Sequence, residues 1–165
     1  MSRTSRVMHC SPEDVFDVLT DGWSYATWVV GAARIREVDQ DWPDPGSRIH
    51  HSVGAWPLLV SDNTEVEEVD APNRLQLRVK VWPSGEGRVI VTCEPHEEGT
   101  LVVMEEYAVS GPAAVVPQVV QDAMLHPRNV EALRRLGYLA ESRARRRDGG
   151  SDDEGDVAKT RDQGE

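Results

Sequence analysis

A single phenylalanine serves the whole chain, cysteine occurs twice, and acidic residues outnumber basic ones 29 to 18. Each shortage excludes something. With a net charge of −11 there is no excess of cations for nucleic acid or an anionic membrane to attract. Cys10 and Cys93 have no C-x-x-C spacing and no neighbouring pair of histidines, so no zinc site is expected. The opening stretch, MSRTSRVMHCSPEDVF, lacks the apolar core of a secretory signal. No run approaches the roughly 18 apolar residues of a membrane span. A reducing, cytoplasmic setting is therefore expected. There is no Gly-rich phosphate loop, no G-x-S-x-G elbow and no strand–G-x-G-x-x-G–helix, and GPAAVVP (111 to 117) has too few glycines to hold a nucleotide. No cofactor and no metal are expected.

What remains is one domain's worth of chain, 165 residues with 39% hydrophobic content. Its end is different. From Asp148 onward there are seven acids, four glycines and one large apolar residue, Val157. Such a segment cannot bury enough surface to offset its ordering entropy. The folded domain is expected over 1–146, with a disordered acidic tail over 147–165.

The scarce aromatics are concentrated. Phe16, Trp23, Tyr25 and Trp28 place four of the nine aromatics within thirteen residues. SPEDVFDVLT reads as a helix: Ser11 is a good N-cap, Pro12 suits the first helical position, and Val15, Val18 and Leu19 share one face. Asp21-Gly22 ends it. A second short helix over WSYATW would put Tyr25 and Trp28 on one face. From Ala32 to Ser110 the pattern is short alternating strands between turn signals at WPDPG, DAPNR, PSGEG and PHEEG, the mark of an antiparallel meander. LQLRVKVW shows it well, with Leu75, Leu77, Val79 and Val81 on one side and Gln76, Arg78 and Lys80 on the other. Residues 113 to 146 return to helical periodicity, with Val116, Val119, Val120, Ala123, Pro127, Val130, Leu133, Gly137 and Ala140 in one stripe. Pro127 removes a backbone hydrogen bond, so a kink or break is expected there.

This order resembles the helix-grip superfamily of START lipid-transfer domains, the birch-pollen allergen fold and bacterial polyketide cyclase/dehydrase-like proteins (SRPBCC). The resemblance is carried by SPEDVFDVLTDGWSYATWVVGA, PGSRIHHSVG, NTEVEEVDAPNRLQLRV and EGTLVVMEEYAVSGPA. RNVEALRRLGYLAE is similar to the end of the gripped helix in actinobacterial members. The resemblance implies an α+β fold: a curved antiparallel sheet of about seven strands around a long C-terminal helix, with two short helices between strands 1 and 2. It also implies a cavity between sheet and helix, and a small hydrophobic ligand, lipid or polyketide-like, as partner. Monomer and dimer both stay open.

The candidate wall residues are Trp23, Tyr25, Trp28, Val53, Leu77, Val79, Val91, Val120, Met124 and Val130. His51, Tyr107 and Arg128 are the candidate polar groups. His51 is the inward member of His50-His51, because Ile49 and Val53 flank it at i±2. In MEEY, one of Glu105 and Glu106 faces inward, and an inward carboxylate needs a partner such as Arg78 or Arg128. Alternation leaves the choice open, since both faces of that strand are apolar. HPRN (126 to 129) could form a polar mouth. Two functions follow. One is a carrier or sensor with an apolar pocket; the other is a polyketide aromatase/cyclase-type enzyme using His51, Glu106 or Tyr107 in acid/base catalysis without metal. A third reading is an interaction module whose aromatics fill its own cavity.

Overall fold

The computed structural model describes residues 1–55, 58–81 and 85–159. Strand β1 (Ser2–Met8) leads into α1 (Pro12–Leu19), a 3-10 turn (Gly22–Ser24) and α2 (Tyr25–Trp28). Six further strands follow: β2 (Ala32–Val38), β3 (Arg48–Ala55), β4 (Leu58–Asp70), β5 (Arg74–Val81), β6 (Gly85–His96) and β7 (Gly99–Ser110). A 3-10 turn (Pro112–Val115) precedes the long helix α3 (Gln118–Lys159). The seven strands form one curved antiparallel sheet in the order β1-β7-β6-β5-β4-β3-β2. This is the α+β helix-grip architecture.

Local chemistry explains the first helix. The Ser11 hydroxyl accepts from the Asp14 backbone N–H at 3.2 Å, and the Asp14 carboxylate accepts from the Ser11 N–H at 3.0 Å. This reciprocal box satisfies two donors that a helix start otherwise leaves bare. Val15, Val18 and Leu19 are buried, as their spacing requires. At the β6–β7 turn, Gly99 takes φ +135°, and a Cβ there would meet the Met8 carbonyl oxygen at 2.2 Å. Only glycine lets the turn press onto the end of β1.

The sheet's inner face holds the core. Rows of paired residues cross it: Val66 opposite Leu77, Leu77 opposite Val89, Val89 opposite Glu106. On α3 the buried residues are Asn129, Ala132, Leu133, Leu136, Gly137 and Ala140, and the helix packs chiefly on β1 and α1.

Three expectations for α3 need correction. The buried stripe of α3 is rotated from the expected one: Asn129 and Leu136 turn inward, while Val130 is 45% exposed. The helix begins at Gln118, and its first turns leave Val119 and Val120 exposed. Pro127 does not break the helix, which runs through it. The helical backbone also continues past Arg146 to Lys159. Pro57, part of the PSGEG turn and the final residues 160–165 lie outside the described residues.

Candidate functional site

Two hollows lie between the sheet and α3. The inner one is a chamber of about 90 Å³, walled by Tyr25 and Trp28 from α2, His51 and Val53 from β3, Leu77 from β5 and Asn129 from α3, among others. A single water needs roughly 10–15 Å³ of such space, so the chamber can take a compact chemical group. The outer one is a groove of about 390 Å³, bounded by Ala108, Pro112, Val116, Met124 and Leu125. Val79, Glu106 and Arg128 belong to both walls. They form the septum between the two.

Register decides which glutamate faces in. Glu106 opposes Val89 in the buried row with Leu77 and is 6% exposed. Glu105 opposes Ile90 and reaches Arg3 at 3.9 Å on the other face. The Arg128 guanidinium donates to Glu106 Oε1. Arg78, the other candidate partner, pairs instead with Glu67 at 2.9 Å on the outer face. A buried carboxylate is thus matched by one arginine on the facing helix, as desolvation demands.

Deeper in, Tyr25, Thr64 and His51 form a chain. Tyr25 Oη lies 2.9 Å from Thr64 Oγ1, which lies 3.0 Å from His51 Nε2. The Tyr25 and His51 rings stack with centroids 5.4 Å apart, and Trp28 meets Tyr25 edge-on at 5.5 Å. Burial pushes the Tyr25 phenol up to about 12, with the hydrogen bond between it and Thr64 opposing. Burial also pushes the His51 imidazole below its usual value, with the Asp62 charge opposing.

Four buried polar atoms of chamber-wall residues have no partner among the described residues: Trp28 Nε1, His51 Nδ1, Glu106 Oε2 and Asn129 Nδ2. Such atoms are rare and costly in a folded protein. All four belong to residues in the wall of one hollow.

Most sequence candidates come together, and some do not. Tyr25, Trp28, His51, Val53, Leu77, Val79, Glu106 and Arg128 line the chamber. Met124 and Tyr107 border the groove. Tyr107, however, points to the sheet face opposite Glu106: Arg88 donates to its Oη at 3.2 Å and lies over its ring at 5.9 Å. Its hydroxyl is engaged away from the chamber, which removes it as an acid/base candidate. Trp23 is 64% exposed, because the segment starts as a 3-10 turn that swings it outward, and it lines neither hollow. Val91 is sealed in the solid core. Val120 and Val130 sit on the exposed side of α3. Thr64, the hinge of the polar chain, was not singled out by sequence. Its signal was weak: it shares an inward face with Val66 only once β4 is known to be a central strand.

The family whose sequence pattern is described as polyketide cyclase / dehydrase and lipid transport matches residues 2–141. The chain belongs to this family. No curated protein matches it. Among solved structures, it is similar to a Nitrosomonas europaea protein (16% identity, TM-score 0.66, covering 86% of this chain and 94% of that one). It is also similar to StfQ, a di-domain ARO/CYC of the steffimycin biosynthetic pathway (14% identity, TM-score 0.66, 86% of this chain and 51% of that one). DynU16, a putative protein of the dynemicin biosynthetic locus, is similar at 19% identity and TM-score 0.63, over 87% of this chain and 48% of its own. The polyketide cyclase / dehydrase and lipid transport family thus shares its fold with these structures. Among the described residues no helix is long and apolar enough to cross a membrane, and no cluster of three metal-ligating side chains occurs.

Proposed function

We propose that the chain binds a small hydrophobic or aromatic molecule between sheet and α3. Its bulk lies in the outer groove and its polar end reaches the inner chamber. One observation carries the reading: two adjoining hollows share a septum, and four residues of the inner wall each carry a buried polar atom without a partner. Apolar burial, at roughly 25 cal/mol per Å², supplies the affinity. The polar atoms fix orientation, because a guest that pairs with them relieves their desolvation cost. The net charge of −11 argues against a nucleic-acid partner. The two buried, unpaired thiols, Cys10 and Cys93, suit the reducing cytoplasm proposed as its setting.

Native mass spectrometry of protein purified from its own host tests the reading. A retained small molecule is the expected result. An empty protein that also fails to enhance the fluorescence of N-phenyl-1-naphthylamine overturns it.

The second reading is a cyclase. It is favoured by the chain from Tyr25 through Thr64 to His51, which offers a proton path beside the chamber, and by the likeness to StfQ. In it Glu106 Oε2 would take a proton from a carbon next to a carbonyl while His51 donates its hydrogen to the carbonyl oxygen, giving the enol, and the chain from Tyr25 through Thr64 would return a proton to His51. Turnover of a model poly-β-ketone, lost on His51→Ala, supports it. No turnover leaves the chain a binder.

A further inference from the structure

The hydrogens around Thr64 can be followed one by one. Thr64 is fully buried, and its hydroxyl oxygen meets Tyr25 Oη and His51 Nε2. The phenol keeps its proton, since burial raises it to about 12. The imidazole, disfavoured as a cation by burial, carries one hydrogen at neutral pH. Two hydrogen bonds are to be made among these groups. In one arrangement Tyr25 donates to Thr64, Thr64 donates to His51 Nε2, and the imidazole hydrogen sits on Nδ1. Only Nδ1–H is then left without a partner. In the other tautomer Nε2–H donates to Thr64. Either the Thr64 or the Tyr25 hydroxyl hydrogen then finds no acceptor, and the Nδ1 lone pair finds no donor. That is two buried defects where the first arrangement has one, and each is costly. The first arrangement wins.

The other wall groups extend the pattern. Trp28 Nε1 is a donor by chemistry, and the Asn129 amide nitrogen is a second. Against these stands one acceptor, Glu106 Oε2. A guest hydroxyl could give its hydrogen to Glu106 Oε2 and offer its oxygen to one of the donors. A guest carboxylate would bring a second negative charge beside Glu106, whose counter-charge Arg128 is already engaged. A neutral carbonyl oxygen brings two lone pairs and no hydrogen.

We infer that His51 acts through Nδ1–H as a specificity-determining donor, and that the polar end of the bound molecule is a neutral acceptor oxygen, carbonyl or hydroxyl, and not a carboxylate. This inference rests on the proposal that the chamber holds a ligand.

Two measurements test it. The first needs no ligand or variant: spectra of the full chain carrying 15N-labelled histidine, at pH 8. A His51 tautomer protonated at Nδ1 is expected, and one protonated at Nε2 overturns the inference. The second compares 2-acetylnaphthalene with 2-isopropenylnaphthalene, which replaces C=O by C=CH2 at nearly constant shape, by titration calorimetry. The ketone is expected to bind about tenfold more tightly, the worth of one buried hydrogen bond. Its carbonyl stretch is expected to fall on binding, and His51→Leu to erase most of the preference. Equal binding of the two overturns the acceptor-oxygen inference and leaves the ligand site standing. Binding of neither overturns both.

Discussion

Glu106 on β7 and Arg128 on α3 join the sheet to the helix at the seam of the two hollows. The partners are unequal: the Glu106 side chain is 8% exposed and that of Arg128 is 36% exposed. Removing the arginine therefore strands a buried charge, while removing the glutamate frees a group that can reach water. Arg128→Met is expected to lower unfolding free energy by about 1–3 kcal/mol, less than a fully sealed pair because solvent screens the arginine. The double variant Glu106→Leu/Arg128→Met should recover most of that loss. Urea midpoints of the three proteins decide it, and equal midpoints for the single and double variants would refute the argument.

His51 sets an acid limb. Its folded-state pKa lies below its unfolded value, because burial disfavours the cation. The unfolded chain then binds the proton more readily. The contribution of His51 is intact above its unfolded value near 6.5 and falls away as pH drops below it. Chemical denaturation at a series of pH values should show stability declining from about pH 6.5 downward. His51→Gln should flatten that portion. A wild-type profile without slope there would sink the claim.

The helix-grip order was legible because its determinants are local. Ser11-Pro12 fixes the start of α1, and the alternation of Leu75, Leu77 and Val79 fixes the inward face of β5. What failed was whatever depends on rotation or register. Apolar residues surround the first turns of α3 on several sides, so periodicity could not tell Val130 from Asn129 as the inward residue. Trp23 and Trp28 are chemically alike, and only the 3-10 turn separates the exposed one from the buried one. Glu106 was undecidable within β7, whose two faces are both apolar, until its pairing with Val89 was known. Thr64 became visible only through three elements at once.

Tyr25 should titrate late. It is 4% exposed and its phenol is pushed up to about 12 by burial. Phenolate absorbance against pH is expected to show a step near that value, absent in Tyr25→Phe. The same substitution removes one buried hydrogen bond to Thr64 while keeping the ring stacked on His51. It should cost about 1 kcal/mol of stability. A Tyr25→Phe protein that keeps a step near that value would refute its assignment to Tyr25.

Leu77 and Met124 look equivalent in sequence, both apolar candidates for a ligand wall, but the structure gives them different physics. Leu77 is 1% exposed and belongs to the core as well as the chamber. Leu77→Ala should destabilise the fold by about 2–5 kcal/mol, because it opens a cavity among packed neighbours. Any loss of ligand binding would then be confounded with loss of structure. Met124 is 72% exposed and borders only the outer groove. Met124→Lys should leave stability within about 0.5 kcal/mol, the ordinary range for a surface change. It should nevertheless weaken N-phenyl-1-naphthylamine several-fold, since a hydrated ammonium replaces a polarizable apolar contact at the groove. Fluorescence titration and thermal unfolding of this one variant separate the two effects. Unchanged binding would mean that the outer groove is not where the apolar body of a guest rests.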